Sequence, residues 1–172
     1  MKQTLVLLFL LSSPLLAQSA RNEVSVSYGW IEVEGAMDPD VYGVSYNRYW
    51  TRFISTRVGA FGGTDTLPDD NGDASSSVAH ATIEGHAWPG RLISPFGGVG
   101  VAYADHRNTY IGVPEKDAKL TPAFIAGIDL NLTPRFTLGG QILYSHYGLE
   151  SRERFADDLT SIATMGSARF RW

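Results

Sequence analysis

Ser145, His146 and Glu150 place a hydroxyl, an imidazole and a carboxylate close together in the chain, the three groups that a nucleophilic ester hydrolase combines. On a strand that pattern works against catalysis, because neighbours such as Ser145 and His146 point to opposite faces. His80 and His86 are imidazoles of the kind that hold transition metals, yet six positions along a strand separate them by about 20 Å, too far to share an ion. Asp69-Asp70-Asn71-Gly72-Asp73 opens like a calcium loop. Counted from Asp69, however, the sixth position is Ala74 and the twelfth is His80, where such loops carry Gly and Glu, so the run reads as a solvated turn. There is no cysteine, which removes disulfides, thiolate metal sites, cysteine nucleophiles and a lipid anchor on a leading cysteine. No metal and no cofactor is expected. What remains is a scatter of ionisable and amide side chains, among them Arg57, His80, Glu84, His86, Lys119, Asp129, Gln141, Arg169 and Arg171. Their meaning depends on the elements that carry them.

Those elements are strands. Val24, Val26, Tyr28 and Trp30 alternate with Ser25, Ser27 and Gly29, and the same period of two recurs through the chain. It predicts strands over Glu23–Val33, Val41–Tyr49, Phe53–Gly63, Ser77–Trp88, Leu92–Ala104, Lys119–Leu130, Phe136–Tyr147 and Leu159–Trp172. Long polar connections are expected over Glu34–Asp40, Thr64–Ser76, Asp105–Ala118 and Gly148–Asp158. Short turns are expected around Trp50–Arg52, Pro89–Gly90 and Asn131–Arg135. Long and short connections alternate, which is the grammar of an up-and-down barrel with an even strand number.

Composition places that barrel. The chain has 172 residues, 44% hydrophobic and 19% charged, with a formal net charge of −4 and no basic stripe, which argues against nucleic acid as a partner. Residues 1–19 read as a secretory signal: Lys2 at the start, an apolar centre from Leu5 to Leu11, Pro14, and small residues that predict cleavage after Ala17 or Ser19. The apolar run is too short to span a bilayer as a helix. The mature domain, residues 20–172, is thus expected outside the cytoplasm.

In the last strand Ile162, Thr164, Gly166, Ala168, Phe170 and Trp172 share one face, and Ser161, Ala163, Met165, Ser167, Arg169 and Arg171 the other. A greasy face running to a terminal aromatic fits the closing strand of a barrel in lipid. The ending Phe170-x-Trp172, the signal sequence, and the segments Tyr46-Asn47-Arg48-Tyr49-Trp50 and Pro95 to Tyr103 resemble the small eight-stranded outer-membrane β-barrel superfamily of OmpA-type and OmpX-type domains. The resemblance implies an all-β, eight-stranded antiparallel transmembrane barrel in the outer membrane. It implies that Phe170 and Trp172 are read by the barrel assembly machinery and that both termini lie in the periplasm; because the sequence stops where the barrel closes, no periplasmic peptidoglycan-binding domain is expected to follow. Some small barrels deacylate lipid A through a His-x-Ser motif, but here His146 is followed by Tyr147 and Gly148, so the motif is broken.

With greasy residues facing lipid, these ionisable and amide side chains fall inside a bore that eight strands leave just wide enough for side chains. Buried charges must pair, so Arg57 is expected to meet Glu84 across the third and fourth strands, within a polar plug that seals the lumen. Two aromatic girdles are expected, one from Tyr49, Trp50, Phe53, Trp88, Phe96, Phe136, Phe170 and Trp172, the other from Trp30, Tyr42, Phe61, Tyr103, Tyr144 and Tyr147. Acids gather in the long loops (Asp38, Asp40, Asp65, Asp69, Asp70, Asp73, Asp157, Asp158) and arginines at the short turns (Arg48, Arg52, Arg91, Arg135). The expected role is a non-enzymatic, monomeric surface barrel touching outer-membrane lipids and lipopolysaccharide, with its acidic loops open to an extracellular partner. The alternatives are a lipid-A-modifying hydrolase using Ser145, His146 and Glu150, and a soluble lipocalin-like carrier.

Overall fold

A computed structural model describes residues 22–33, 40–66, 73–110, 113–148 and 158–172, with side chains described over 22–32, 40–64, 75–105, 120–145 and 161–172. The strands are β1 (Asn22–Val33), β2 (Asp40–Tyr49), β3 (Ile54–Thr66), β4 (Asp73–His86), β5 (Ile93–Tyr110), β6 (Val113–Asn131), β7 (Phe136–Gly148) and β8 (Asp158–Arg171). Each pairs antiparallel with its neighbours in sequence, and β8 pairs with β1, so the sheet closes. The seam ends on two backbone bonds, Asn22 N–H to Trp172 O at 3.1 Å and Trp172 N–H to Asn22 O at 2.9 Å.

Register fixes the bore. Stepping from Arg171 across partners Glu23, Asn47, Arg57, Thr82, Gly100, Ala123 and Ser145 returns to β8 at Ser161, ten residues from the start. Strand number and this stagger together set the tilt and width of a barrel, and eight strands leave a core for side chains rather than a channel.

Alternation puts large apolar residues outside: Val58, Ile83, Val99, Phe124 and Ile128 are each more than half exposed. The opposite face is buried. A soluble lipocalin-like carrier needs the reverse, apolar residues around a hollow lumen and polar ones outside, and this wall has the opposite arrangement.

Two expectations about extent are corrected. The predicted loops Thr64–Ser76 and Asp105–Ala118 are largely strand, because β3 runs on to Thr66, β4 starts at Asp73, and β5 and β6 stay paired out to Tyr110 and Val113. A polar hairpin standing clear of the bilayer needs no apolar face, so its sequence reads as loop although its backbone still pairs. Three of the predicted girdle aromatics are also inside. Tyr49, Phe61 and Phe96 are buried, each an even number of positions from an inward residue (Asn47, Arg57 and Ser94), and parity outranks aromatic character. Trp50, Phe53, Trp88, Phe136, Phe170 and Trp172 do face outward near the short turns, as do Trp30, Tyr42, Tyr103 and Tyr144 toward the other end, while the Tyr147 side chain lies outside the described residues.

The short turns are tightly specified. Thr51 Oγ1 accepts from the backbone N–H of Phe53 and Ile54 (3.1 and 3.0 Å), and Thr133 Oγ1 accepts from those of Arg135 and Phe136 (3.2 and 2.9 Å). The turn between β4 and β5, Trp88-Pro89-Gly90-Arg91, closes with Arg91 N–H to Trp88 O at 3.2 Å, with Gly90 at φ 82°. Proline then glycine with positive φ is the signature of a type II turn.

Replacing Gly90 with Ala puts a Cβ in a left-handed conformation and is expected to destabilise the barrel by about 1 kcal/mol, read as a lower urea midpoint in detergent. In the same preparation the unboiled protein should migrate at a different apparent mass from the boiled one. Identical mobilities would contradict a closed barrel.

Candidate functional site

The lumen is layered. Near the short-turn end three guanidiniums meet three carboxylates. Arg57 on β3 grips Glu84 on β4 in a bidentate pair, Nε to Oε1 at 2.9 Å and Nη2 to Oε2 at 3.0 Å, and its Nη1 donates to Gln141 Oε1. Thr82 Oγ1 donates to Glu84 Oε1 at 3.1 Å. Arg169 on β8 pairs with Asp129 on β6 at 2.8 Å, lies 3.9 Å from Glu23, and donates to Gln141 Oε1 at 3.1 Å. One amide oxygen therefore ties both arginines together. Arg171 completes the set, donating to Glu23 Oε2 at 2.7 Å and to the Tyr49 hydroxyl at 3.1 Å.

A single aromatic ring organises this cluster. Arg57 and Arg169 both lie over Phe96, at 5.2 and 5.0 Å from its centroid, an arrangement in which the ring's negative face attracts the cation. His86 stacks on Phe96 at 5.6 Å and bonds Ser55 through Nε2 at 2.8 Å. Gly127 makes room for the ring, since a Cβ there would sit 2.7 Å from Phe96 Cε1. Arg57, Glu84 and Arg169 are each only 1% exposed. Such burial of charge is tolerable only because each group has partners.

Beyond this cluster, toward the long connections, the lumen turns apolar: Ile31, Val41, Phe61, Val78, Leu143 and Met165 are all buried there. His80 sits in that layer beside Phe61, with ring centroids 6.0 Å apart and neither ring nitrogen hydrogen-bonded. It is separated along β4 from the ion cluster that His86 joins. Among the described residues no group of three His, Asp or Glu side chains could hold a metal ion.

Of the residues singled out from sequence, Arg57, Glu84, His86, Asp129, Gln141, Arg169 and Arg171 come together and His80 stands apart. Lys119 is on β6, but its side chain lies outside the described residues, as does that of His146, and Glu150 is wholly outside them. Ser145 is buried in the lumen with its Oγ 2.9 Å from Ser161 Oγ, so it points away from lipid. Three further members were not expected in the lumen: Glu23 was not singled out, and Tyr49 and Phe96 were assigned to the girdle. Each was accessible by parity, Glu23 lying two before inward Ser25.

Removing one partner should show how the layer is held. Arg57→Ala leaves Glu84 as an unpaired buried carboxylate and is expected to cost about 3–5 kcal/mol in urea unfolding followed by tryptophan fluorescence. Replacing the pair together, Arg57→Met with Glu84→Leu, should restore most of that loss, because the desolvation penalty of both charges goes with them. Equal losses in the single and double variants would deny the pair its role.

Comparison with known proteins agrees with this architecture. A family model described as the outer membrane protein beta-barrel domain matches residues 4–170. Among solved structures, Neisserial surface protein A aligns with a TM-score of 0.67 at 11% identity, over 89% of this chain and 97% of that one. The N-terminal β-barrel domain of OprF from Pseudomonas aeruginosa aligns with a TM-score of 0.67 at 15% identity, over 90% and 100%. Ail, the attachment invasion locus protein of Yersinia pestis, solved with the heparin analogue sucrose octasulfate, aligns with a TM-score of 0.63 at 16% identity, over 90% and 99%. Comparison with curated proteins finds no significant sequence match.

Proposed function

The chain belongs to the outer membrane protein β-barrel domain family and resides in the outer membrane, and from that premise we propose a non-enzymatic surface barrel with a sealed lumen. The observation that carries this reading is the cluster of Arg57, Glu84, Gln141, Asp129, Glu23 and Arg169 around Phe96, which draws side chains from six of the eight strands into the bore. A cluster braced from that many sides acts as a plug. What the protein offers its surroundings is then its outer rim and its lipid-facing wall.

The rim is an acidic contact surface. Asp40, Asp65 and Asp73 stand at the ends of β2, β3 and β4, and Asp38, Asp69 and Asp70 are close to them in sequence. A polyanion such as the sulfated sugar bound by Ail is a poor complement to that charge; a cationic partner, or lipopolysaccharide phosphate reached through divalent cations, suits it better. Export through residues 1–19 and recognition of Phe170 and Trp172 by the barrel assembly machinery belong to the same proposal, with the protein working as a monomer.

A hydrolase at the lipid-facing wall gains no support from Ser145, whose hydroxyl faces the lumen and lies 2.9 Å from that of Ser161. Single-channel recording in planar bilayers is expected to give no stable conductance from the wild type. Ser145→Ala expressed in cells should leave lipid A masses unchanged. Sustained openings would break the sealed-lumen reading, and a lipid A species lost with Ser145→Ala would break the non-enzymatic one.

A further inference from the structure

The short-turn rim carries a feature the plug and the acidic loops do not use. Arg48 and Arg52 flank the first turn, Arg91 the second and Arg135 the third, and all four are exposed. Segments 48–54, 87–93 and 131–136 contain no carboxylate. Among the described residues none of the four arginines enters an ion pair, whereas Arg57, Arg169 and Arg171 in the lumen all do. Each turn therefore presents at least one unneutralised guanidinium.

These cations stand among apolar side chains rather than above them. Arg48 lies over the Trp50 ring at 5.0 Å and Arg52 over the Phe53 ring at 4.6 Å, which fixes both guanidiniums at the height of the aromatic belt. Trp88 and Leu92 bracket Arg91, and Leu132 and Phe136 bracket Arg135; all four are exposed, Phe136 the least. A ring of cations at the depth where indole and phenyl rings meet headgroups faces the phosphate layer of the membrane. Arginine's planar fork binds a phosphate through two parallel N–H donors, and the aromatic ring beneath leaves those donors free.

We propose that Arg48, Arg52, Arg91 and Arg135 form a collar that binds the phosphate of anionic phospholipids in the periplasm-facing leaflet. The occupant is lipid rather than a soluble polyanion because the apolar residues between the arginines are exposed and would meet water if nothing greasy covered them.

The test is lipid retention by the whole barrel. Protein reconstituted in nanodiscs holding equal phosphatidylglycerol and phosphatidylethanolamine is released into mild detergent, and the lipids that stay bound are read by native mass spectrometry. The wild type should retain phosphatidylglycerol preferentially. Arg91→Gln and Arg135→Gln, both on exposed turns, should each lower that preference by about five-fold, and the fourfold glutamine variant should abolish it. Arg→Lys at the same positions should keep part of it, because charge survives while the fork does not. Heat-modifiable mobility identifies folded variants. Equal retention of both lipids by the wild type, or an undiminished preference in folded glutamine variants, overturns the collar. Neither outcome bears on conductance or lipid A, so the sealed-barrel reading stands or falls separately.

Discussion

Inside a bilayer there is no water to satisfy a backbone N–H or C=O, and this structure answers by closing its ladder on itself. The pairing of β8 with β1, finished by the reciprocal Asn22 and Trp172 bonds, leaves no open edge in the hydrocarbon. Everything else is constrained by that closure. Eight strands with a stagger of ten residues leave a narrow bore, alternation sends every second side chain into it, and whatever enters must pack and pair there.

The solution differs along the axis. Where the strands leave the short turns, long charged side chains reach across the bore and meet, with Gln141 and Phe96 holding two arginines close together. Where they approach the long connections, aliphatic side chains and alanines fill the same width with dispersion contacts. An ionic layer makes position-specific demands on partners, and an aliphatic one makes demands on volume. The barrel uses the first to define which strands face each other and the second to fill the remainder.

Much of this was legible in the sequence because a period of two assigns each residue to a face with no further information. Arg57 and Glu84 could be expected to meet because they fall inward on adjacent strands at nearly the same level. Tyr49, Phe61 and Phe96 were misplaced because they were grouped by residue type and distance from a turn, which describes a girdle, instead of by parity. Glu23 escaped because it opens a strand, where one neighbour alone reports the face. The length of the β5–β6 hairpin was hidden for a different reason. Asp105 to Ala118 carries no alternation of apolar and polar residues, and only the backbone pairing from Asp105↔Ala118 to Tyr110↔Val113 reveals the strands. Ser145 shows the limit of motif reading: its neighbours in sequence suggested chemistry, while its hydroxyl is turned into the lumen against Ser161.

The ion cluster has an electrical consequence. Arg57, Arg169 and Arg171 against Glu23, Glu84 and Asp129 carry formal charges that cancel, so a potential across the membrane exerts no net pull on the group along the barrel axis. A bore lined by one sign would be a voltage sensor or an ion filter. This cluster is neutral as a group, and a Donnan potential across the envelope does no net work on moving it as a single body.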